Sequence, residues 1–216
     1  SDHKAVDAWA ADTHQAFSKV NAVINNAGVS LSGAVGDLSL EDFEWIMGIN
    51  FWGVVHGTRA FLPYLRASGD GHIVNISSLF GIIAMPGASA YNASKFAVRG
   101  FTEALRQELE MEGGRVSCTS VHPGGIKTNI ARNARMGAGV EKITGADADK
   151  ARRDFEKMFR TTPEEASQTI LKGVKGNKRR VLIGSDARAI DSMQRLMPTA
   201  YQRIMVAGQK MMRKEP

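Results

Sequence analysis

Residues 72–95 read HIVNISSLFGIIAMPGASAYNASK, and the fold turns on how this stretch divides. His72–Ile76 follows the turn formers Gly69–Gly71 and is apolar enough, and short enough, to be a strand buried on both faces. From about Tyr91 the apolar period changes to that of a helix, which runs to about Met111 and is stopped by Gly113-Gly114. A strand, a loop and a long helix therefore occupy the middle of the chain.

The alternation continues outward in both directions. Val20–Asn25 (VNAVIN) reads as a strand ending at the turn Asn26-Ala27-Gly28. Ser39 can cap the helix that follows, with Asp42 three residues on and Phe43, Ile46 and Met47 opening its apolar face. That helix is expected to reach about Leu65, with Gly53 and Pro63 as weak points. Arg115–Val121 is a strand broken by His122-Pro123-Gly124-Gly125. Thr162-Pro163-Glu164-Glu165 is a helix start, Val181–Gly184 a short last strand, and the chain from Ala187 helical with Pro198 interrupting it. The order predicts an α/β fold, a Rossmann-like doubly wound parallel sheet.

Composition agrees with a single globular domain over residues 1–216: 43% of residues are hydrophobic and 23% charged. No apolar run approaches the roughly 20 residues that span a bilayer. Ser1–Ala10 carries Asp2, Lys4 and Asp7 and has no apolar centre, so it does not read as a signal peptide. Cys118 is the one cysteine, which excludes an internal disulfide and a cysteine metal cluster and suggests a cytoplasmic home. Charge is uneven: residues 1–128 hold nine Lys and Arg against twelve Asp and Glu, whereas residues 129–216 hold 19 against 10. That basic second part can be a solvated surface or a contact with an anionic partner. Basic residues do not alternate with stacking aromatics, so a nucleic-acid partner is not expected.

The chemistry is carried by a few polar side chains. Tyr91 and Lys95 are four residues apart and share one helix face. Alone, such a pair is common on solvent-facing helices. Ser78 lies just past the carboxyl end of a predicted parallel strand, where open α/β sheets bind ligands, though it could equally be a turn serine bonding its own backbone. Asn50 sits mid-helix, where asparagine has poor propensity and is usually a surface residue. Asn26-Ala27-Gly28, Asn50, Ser78, Tyr91, Lys95 and Pro123-Gly124 nevertheless occur in the order and spacing of the short-chain dehydrogenase/reductase family. The strings VINNAG, ISSLFG, YNASKFAVRGFTEALRQEL and VHPGGIKT resemble it densely from Val23 to Thr128.

That resemblance implies hydride transfer between NAD or NADP and a small hydrophobic ketone or secondary alcohol, with no metal. Tyr91 is then the acid/base. Its phenol, near ~10 when free, is expected to fall under the Lys95 ammonium and an oxidised nicotinamide. Lys95 also holds the nicotinamide ribose, Ser78 orients the substrate oxygen, and Asn50 disturbs its helix so that a carbonyl holds a relay water. For the cofactor, Pro123 and Gly124 turn the chain toward the nicotinamide. Ile126 and Thr128 meet its carboxamide and a phosphate, and Asn26, Ala27 and Gly28 lie along the adenosine side. His122 reads as structural and Cys118 as a small buried strand residue. A homodimer or homotetramer is implied, pairing the helices that carry Asn50 and Tyr91 through Phe96, Val98, Phe101, Ala104 and Leu105.

Two departures stand out. No strand–glycine-rich loop–helix unit occurs, so the family's N-terminal βαβα portion, and the choice between NAD and NADP, are expected to lie outside these residues. Residues 129–160 mix Gly137, Gly139 and Gly145 with eight basic residues and Phe155, Met158 and Phe159, which suggests a mobile, partly helical insertion that acts as a substrate-side lid. Residues 187–216 form a helical extension with an apolar stripe of Ile190, Met193, Leu196, Met197, Tyr201, Ile204, Met205, Met211 and Met212. The stripe can pack on the core, roof the site, meet a second subunit or rest on a membrane surface. Two competing readings are a non-catalytic nucleotide-binding regulator and a peripheral membrane protein.

Overall fold

The apolar runs become strands of one parallel sheet. The computed structural model describes residues 2–213. In chain order its elements are α1 (His3–Phe17), β1 (Ala22–Asn25), β2 (Leu31–Ser32), α2 (Leu40–Met47), α3 (Gly53–Ser68), β3 (Gly71–Ile76), α4 (Ser89–Met111) and β4 (Val116–Pro123). These are followed by β5 (Arg135–Met136), α5 (Val140–Thr144), α6 (Ala148–Lys157), α7 (Pro163–Lys175), β6 (Arg180–Ile183), α8 (Ser185–Leu196) and α9 (Tyr201–Met212). The main sheet has the order β1-β3-β4-β6 with every pair parallel, and β2 and β5 form a separate parallel pair.

Side chains alternate across the sheet, so both faces need cover. Val23, Ile73, Val116 and Cys118 point to one face and meet Phe61 and Leu65 of α3 and Leu105 and Leu109 of α4. Val74, Val121, Val181 and Ile183 point to the other and meet Ala166 and Ile170 of α7. This is the doubly wound arrangement expected of the sequence. Burial pushes the Cys118 thiol up to about 12, which keeps it an unreactive strand residue.

Local signals act where they were read. Ser39 accepts a hydrogen bond from Asp42 N (3.1 Å), and Thr162 and Glu165 close a full capping box at the start of α7. The helix after Ser39 is interrupted by a π turn over Gly48–Trp52, after which α3 continues through Pro63 to Ser68, beyond the expected end at Leu65. β4 also outruns its expected end at Val121. His122 and Pro123 pair with Leu182 and Ile183 of β6, and His122 is fully buried. Proline costs the ladder little there because Gly124 N takes over the next bond, to Ile183 O (2.9 Å).

Residues 129–160 are partly helical, as the sequence suggests, with α5 and α6 inside them. β5 pairs with β2, Arg135 bonds Asp42 (2.9 Å) and lies 3.9 Å from the Trp45 ring, and Lys142 pairs with Asp37 (2.9 Å). α6 has no buried residue of its own, and Phe155 meets Phe159 edge-on. The C-terminal stripe divides in two. Ile190, Met193, Tyr201 and Met205 pack on Leu79, Ile82 and Ile83, whereas Leu196 and Met211 are exposed. The Met212 side chain and residues 214–216 lie outside the described residues.

A buried polar ladder crosses the sheet beneath the helices. Asn25 Nδ2 donates to Thr58 Oγ1 (3.1 Å) and Asn75 Oδ1 (2.8 Å), and Asn75 Nδ2 donates to Thr102 Oγ1 (3.0 Å). Gly57 makes room for it, because a Cβ there would overlap Asn25 Oδ1. Gly57→Ala is therefore expected to destabilise the protein by about 1–3 kcal/mol, the usual cost of overpacking. Urea unfolding of the variant beside the parent protein measures the loss.

Candidate active site

The site forms at the carboxyl ends of β3 and β4. Ser78 leaves β3 in an extended conformation and caps a short helical turn, its Oγ accepting from Phe80 N (3.1 Å). Ser78 therefore is a turn serine, and it also lines the cavity described below. Its carbonyl is held from behind by His122 Nδ1 (2.9 Å), which must be the protonated nitrogen, leaving Nε2 to accept from Ser120 Oγ (2.9 Å). Burial lowers His122 to about 4, so the ring stays neutral and structural.

Tyr91 and Lys95 enter from the first two turns of α4, and both are buried. The Tyr91 ring stands edge-on to Phe80, 6.0 Å between centroids. Burial raises its phenol above the usual value, and the Ser78 side chain partly offsets the rise. The expected fall belongs to the site with an oxidised nicotinamide bound, whereas the protein groups alone raise the value through desolvation. Lys95 Nζ stands 5.8 Å from the Tyr91 ring centroid, and burial lowers its own value to about 8. Lys95 Nζ donates to Ile76 O (3.0 Å), one bond from a group with three donors.

Asn50 is not a surface residue. It sits in the π turn, fully buried, where Oδ1 accepts from Val29 N (2.8 Å) and Nδ2 donates to Val29 O (3.0 Å) and Ser94 Oγ (3.1 Å). Ser94 Oγ donates in turn to Tyr91 O (2.8 Å). Asn50 thereby ties the chain after Asn26-Ala27-Gly28 to the helix that carries Tyr91 and Lys95. A Cβ on Gly28 would stand 3.3 Å from Asn50 Oδ1 and 3.4 Å from Lys95 Nζ, so the turn and the lysine nearly touch.

One cavity of about 1330 Å³ joins these groups. Its wall includes Ser78, Tyr91 and Lys95, the turn Asn26, Ala27 and Gly28, and the segment Pro123, Gly124, Ile126 and Thr128. Asn50 lies behind the wall. Three observations fit a dinucleotide's nicotinamide half: the volume, the bare backbone at Gly28, and a buried ammonium with donors to spare beside it. Apolar cover comes from Met85, Phe155, Met158, Phe159, Ile190 and Met205. Among the described residues no group of three His, Cys, Asp or Glu side chains could hold a metal, and no helix is long and apolar enough to cross a membrane.

Two contributors escaped the sequence reading. Ser94 lies inside the Tyr91–Lys95 motif, where only spacing was read. Asp186 accepts a hydrogen bond from Gly125 N (2.8 Å) and lines the cavity. Its signal was its place just after a strand's carboxyl end.

Comparison with known proteins agrees with this geometry. The family described as short chain dehydrogenase matches residues 1–139. A Mycobacterium tuberculosis protein named "Putative oxidoreductase SadH" is 50% identical over 208 residues, covering 96% of this chain and 74% of the relative. "Uncharacterized oxidoreductase YxnA" of Bacillus subtilis is 35% identical over 88% of this chain and 50% of its own length. Among solved structures, a short chain dehydrogenase/reductase from Burkholderia phymatum in complex with NAD superposes with a TM-score of 0.79 at 27% identity. That match covers 93% of this chain and 74% of the other. The chain belongs to the short-chain dehydrogenase/reductase family and is an oxidoreductase of that type.

The lowered Lys95 value makes stability depend on pH. The folded protein releases this proton near 8 and the unfolded chain near 10.5, so between these values the unfolded chain binds more protons and stability rises with pH. Compared with Lys95→Met, which cannot titrate, the parent protein is expected to gain up to roughly 3 kcal/mol between pH 7 and 10.5. Urea unfolding of both proteins across that range checks the sign.

Proposed function

We propose that this protein moves a hydride between the nicotinamide of NAD or NADP and the carbon of a small hydrophobic ketone or secondary alcohol. The observation that carries the reading is the convergence of Ser78, Tyr91 and Lys95 on one wall of the cavity that Pro123, Gly124, Ile126 and Thr128 also line. The bound nicotinamide supplies or accepts the hydride and, when oxidised, a positive charge that favours the Tyr91 phenolate.

The side chains manage the proton and the geometry. In reduction the Tyr91 phenol gives its proton to the carbonyl oxygen as hydride reaches the carbon, and in oxidation the phenolate takes the alcohol proton. Ser78 donates a hydrogen bond to the substrate oxygen and aligns it with Tyr91. Lys95 uses its remaining donors on the nicotinamide ribose and resupplies the proton. Asn50 acts through position, and the π turn frees a backbone carbonyl to hold a water between Lys95 and solvent. Ile126 and Thr128 meet the carboxamide and a phosphate, and Asn26, Ala27 and Gly28 follow the adenosine side.

The domain reading completes the proposal. Residues 1–216 act as one domain, with the described part of the C-terminal extension, residues 187–213, roofing the substrate side, where Ile190 and Met205 line the cavity. The apolar lining supports a hydrophobic substrate, and a cytoplasmic location suits a lone buried thiol. The proposed homodimer or homotetramer uses exposed Trp52 and Phe96 together with Phe101 and Ala104. Val98 and Leu105, named with them from the sequence, belong to this chain's own core.

Tyr91→Phe in the full-length protein keeps the ring and removes the proton donor. Turnover is expected to fall by about 10²–10⁴ or more with cofactor affinity retained, as measured by steady-state kinetics and nicotinamide fluorescence. Near-parental turnover would remove Tyr91 from the mechanism. For the lid over residues 129–160, hydrogen exchange is expected to slow on forming the ternary complex. The change should be larger after Gly145 than in residues 135–144, which the β2–β5 pair and the Arg135 and Lys142 ion pairs already hold. Unchanged exchange throughout would mean a fixed insertion.

A further inference from the structure

Gly124 and Gly125 are glycines for want of space. Neither has a positive φ. A Cβ on Gly124 would overlap the Asp186 carboxylate, and a Cβ on Gly125 would press on Met158 O (2.7 Å) and Phe159 Cα (3.0 Å). The turn is therefore gripped from two sides. Asp186 closes one, and the end of the 129–160 segment closes the other.

Both polar groups of Gly125 are engaged by these neighbours. Its N–H donates to Asp186 Oδ2 (2.8 Å), and its carbonyl accepts from Arg160 N (3.0 Å) and Thr161 N (3.2 Å). Asp186 lies in the first turn of α8, where an acidic side chain is favoured by the helix dipole and often bonds its own helix amides. Here it reaches across to Gly125 instead. A positive φ at Gly184 turns the chain out of β6 into α8, and a Cβ there would also overlap Asp186. A charged acceptor bonded to a backbone amide at a cavity wall fixes that amide more firmly than a neutral one.

We infer that Asp186 is a positioning residue for the nicotinamide site: by holding Gly125 N–H it sets the turn from which Ile126 and Thr128 project into the cavity. This rests on the functional reading above. It assigns Asp186 no part in proton or hydride transfer. Asp186 places backbone, and loses its effect when it cannot accept a hydrogen bond.

The test uses the full-length protein with Asp186→Ala, which removes the acceptor, and Asp186→Asn, whose amide oxygen can still accept. NADH and NADPH binding is followed by nicotinamide fluorescence, and Gly125 amide exchange is followed by NMR without cofactor. Loss of a hydrogen bond to a charged group should weaken binding of the preferred cofactor about tenfold in Asp186→Ala and speed Gly125 exchange. Asp186→Asn should stay within about threefold of the parent in binding, with the amide still protected. Should Asp186→Ala not fold, Asp186→Ser, too short to reach Gly125, is read in its place. Parental binding and exchange in the acceptor-less variant would overturn the inference, as would Asp186→Asn behaving like it. If the parent protein binds neither NADH nor NADPH, the functional reading fails instead.

Discussion

The Asn50 carboxamide holds three parts of this molecule in one place. Its oxygen and nitrogen clasp both backbone groups of Val29, and its second N–H reaches Ser94 one turn from Tyr91. Every atom of it is buried, so each bond is made against a low-dielectric background where an unmade one would be costly. A regular α-helix would pass Asn50 with its backbone closed. The π turn over Gly48–Trp52 inserts the extra residue there. The loop after β1, the helix α4 and the cavity wall are thus registered to each other through one side chain that itself lines none of the cavity.

Burial does the electrostatic tuning around this frame. Lys95 is lowered and Tyr91 raised by the same cause, loss of water, acting on groups of opposite charge type. The two shifts leave both groups nearer neutrality than they are in water. Under the proposed function, a positive charge entering the cavity would favour the Tyr91 phenolate. His122 and Cys118 show the same desolvation without a route to the cavity, and so stay inert beside it.

The glycines of the Pro123–Gly125 turn show how packing narrows a motif's meaning. They are small because Asp186 and the chain around Phe159 stand against them. The Pro123–Gly125 turn therefore depends on α8 and on the end of the 129–160 segment, two elements outside the stretch of densest family resemblance. Ile190 of α8 and Phe159, which line the cavity, come from those same elements.

The sequence by itself determined the parallel sheet, because strand period and length are local properties of Val20–Asn25, His72–Ile76 and Arg115–Val121. It also determined the helix start at Thr162, a local capping signal, and put Tyr91 and Lys95 on one helix face, while it was the family resemblance that singled them out with Ser78. The resemblance gave Asn50 a disturbed helix, which the π turn matches, but its clasp on Val29 and Ser94 appears only when folding brings them close. The extent of β4 depended on β6, whose pairing keeps His122 and Pro123 in the sheet. The direction of the Tyr91 shift needed the depth at which its phenol lies. Asp186 became visible only when α8 was laid against Gly125, 61 residues away in the chain. Burial and long-range hydrogen bonds are properties of neighbours in space, and no window along the sequence contains them.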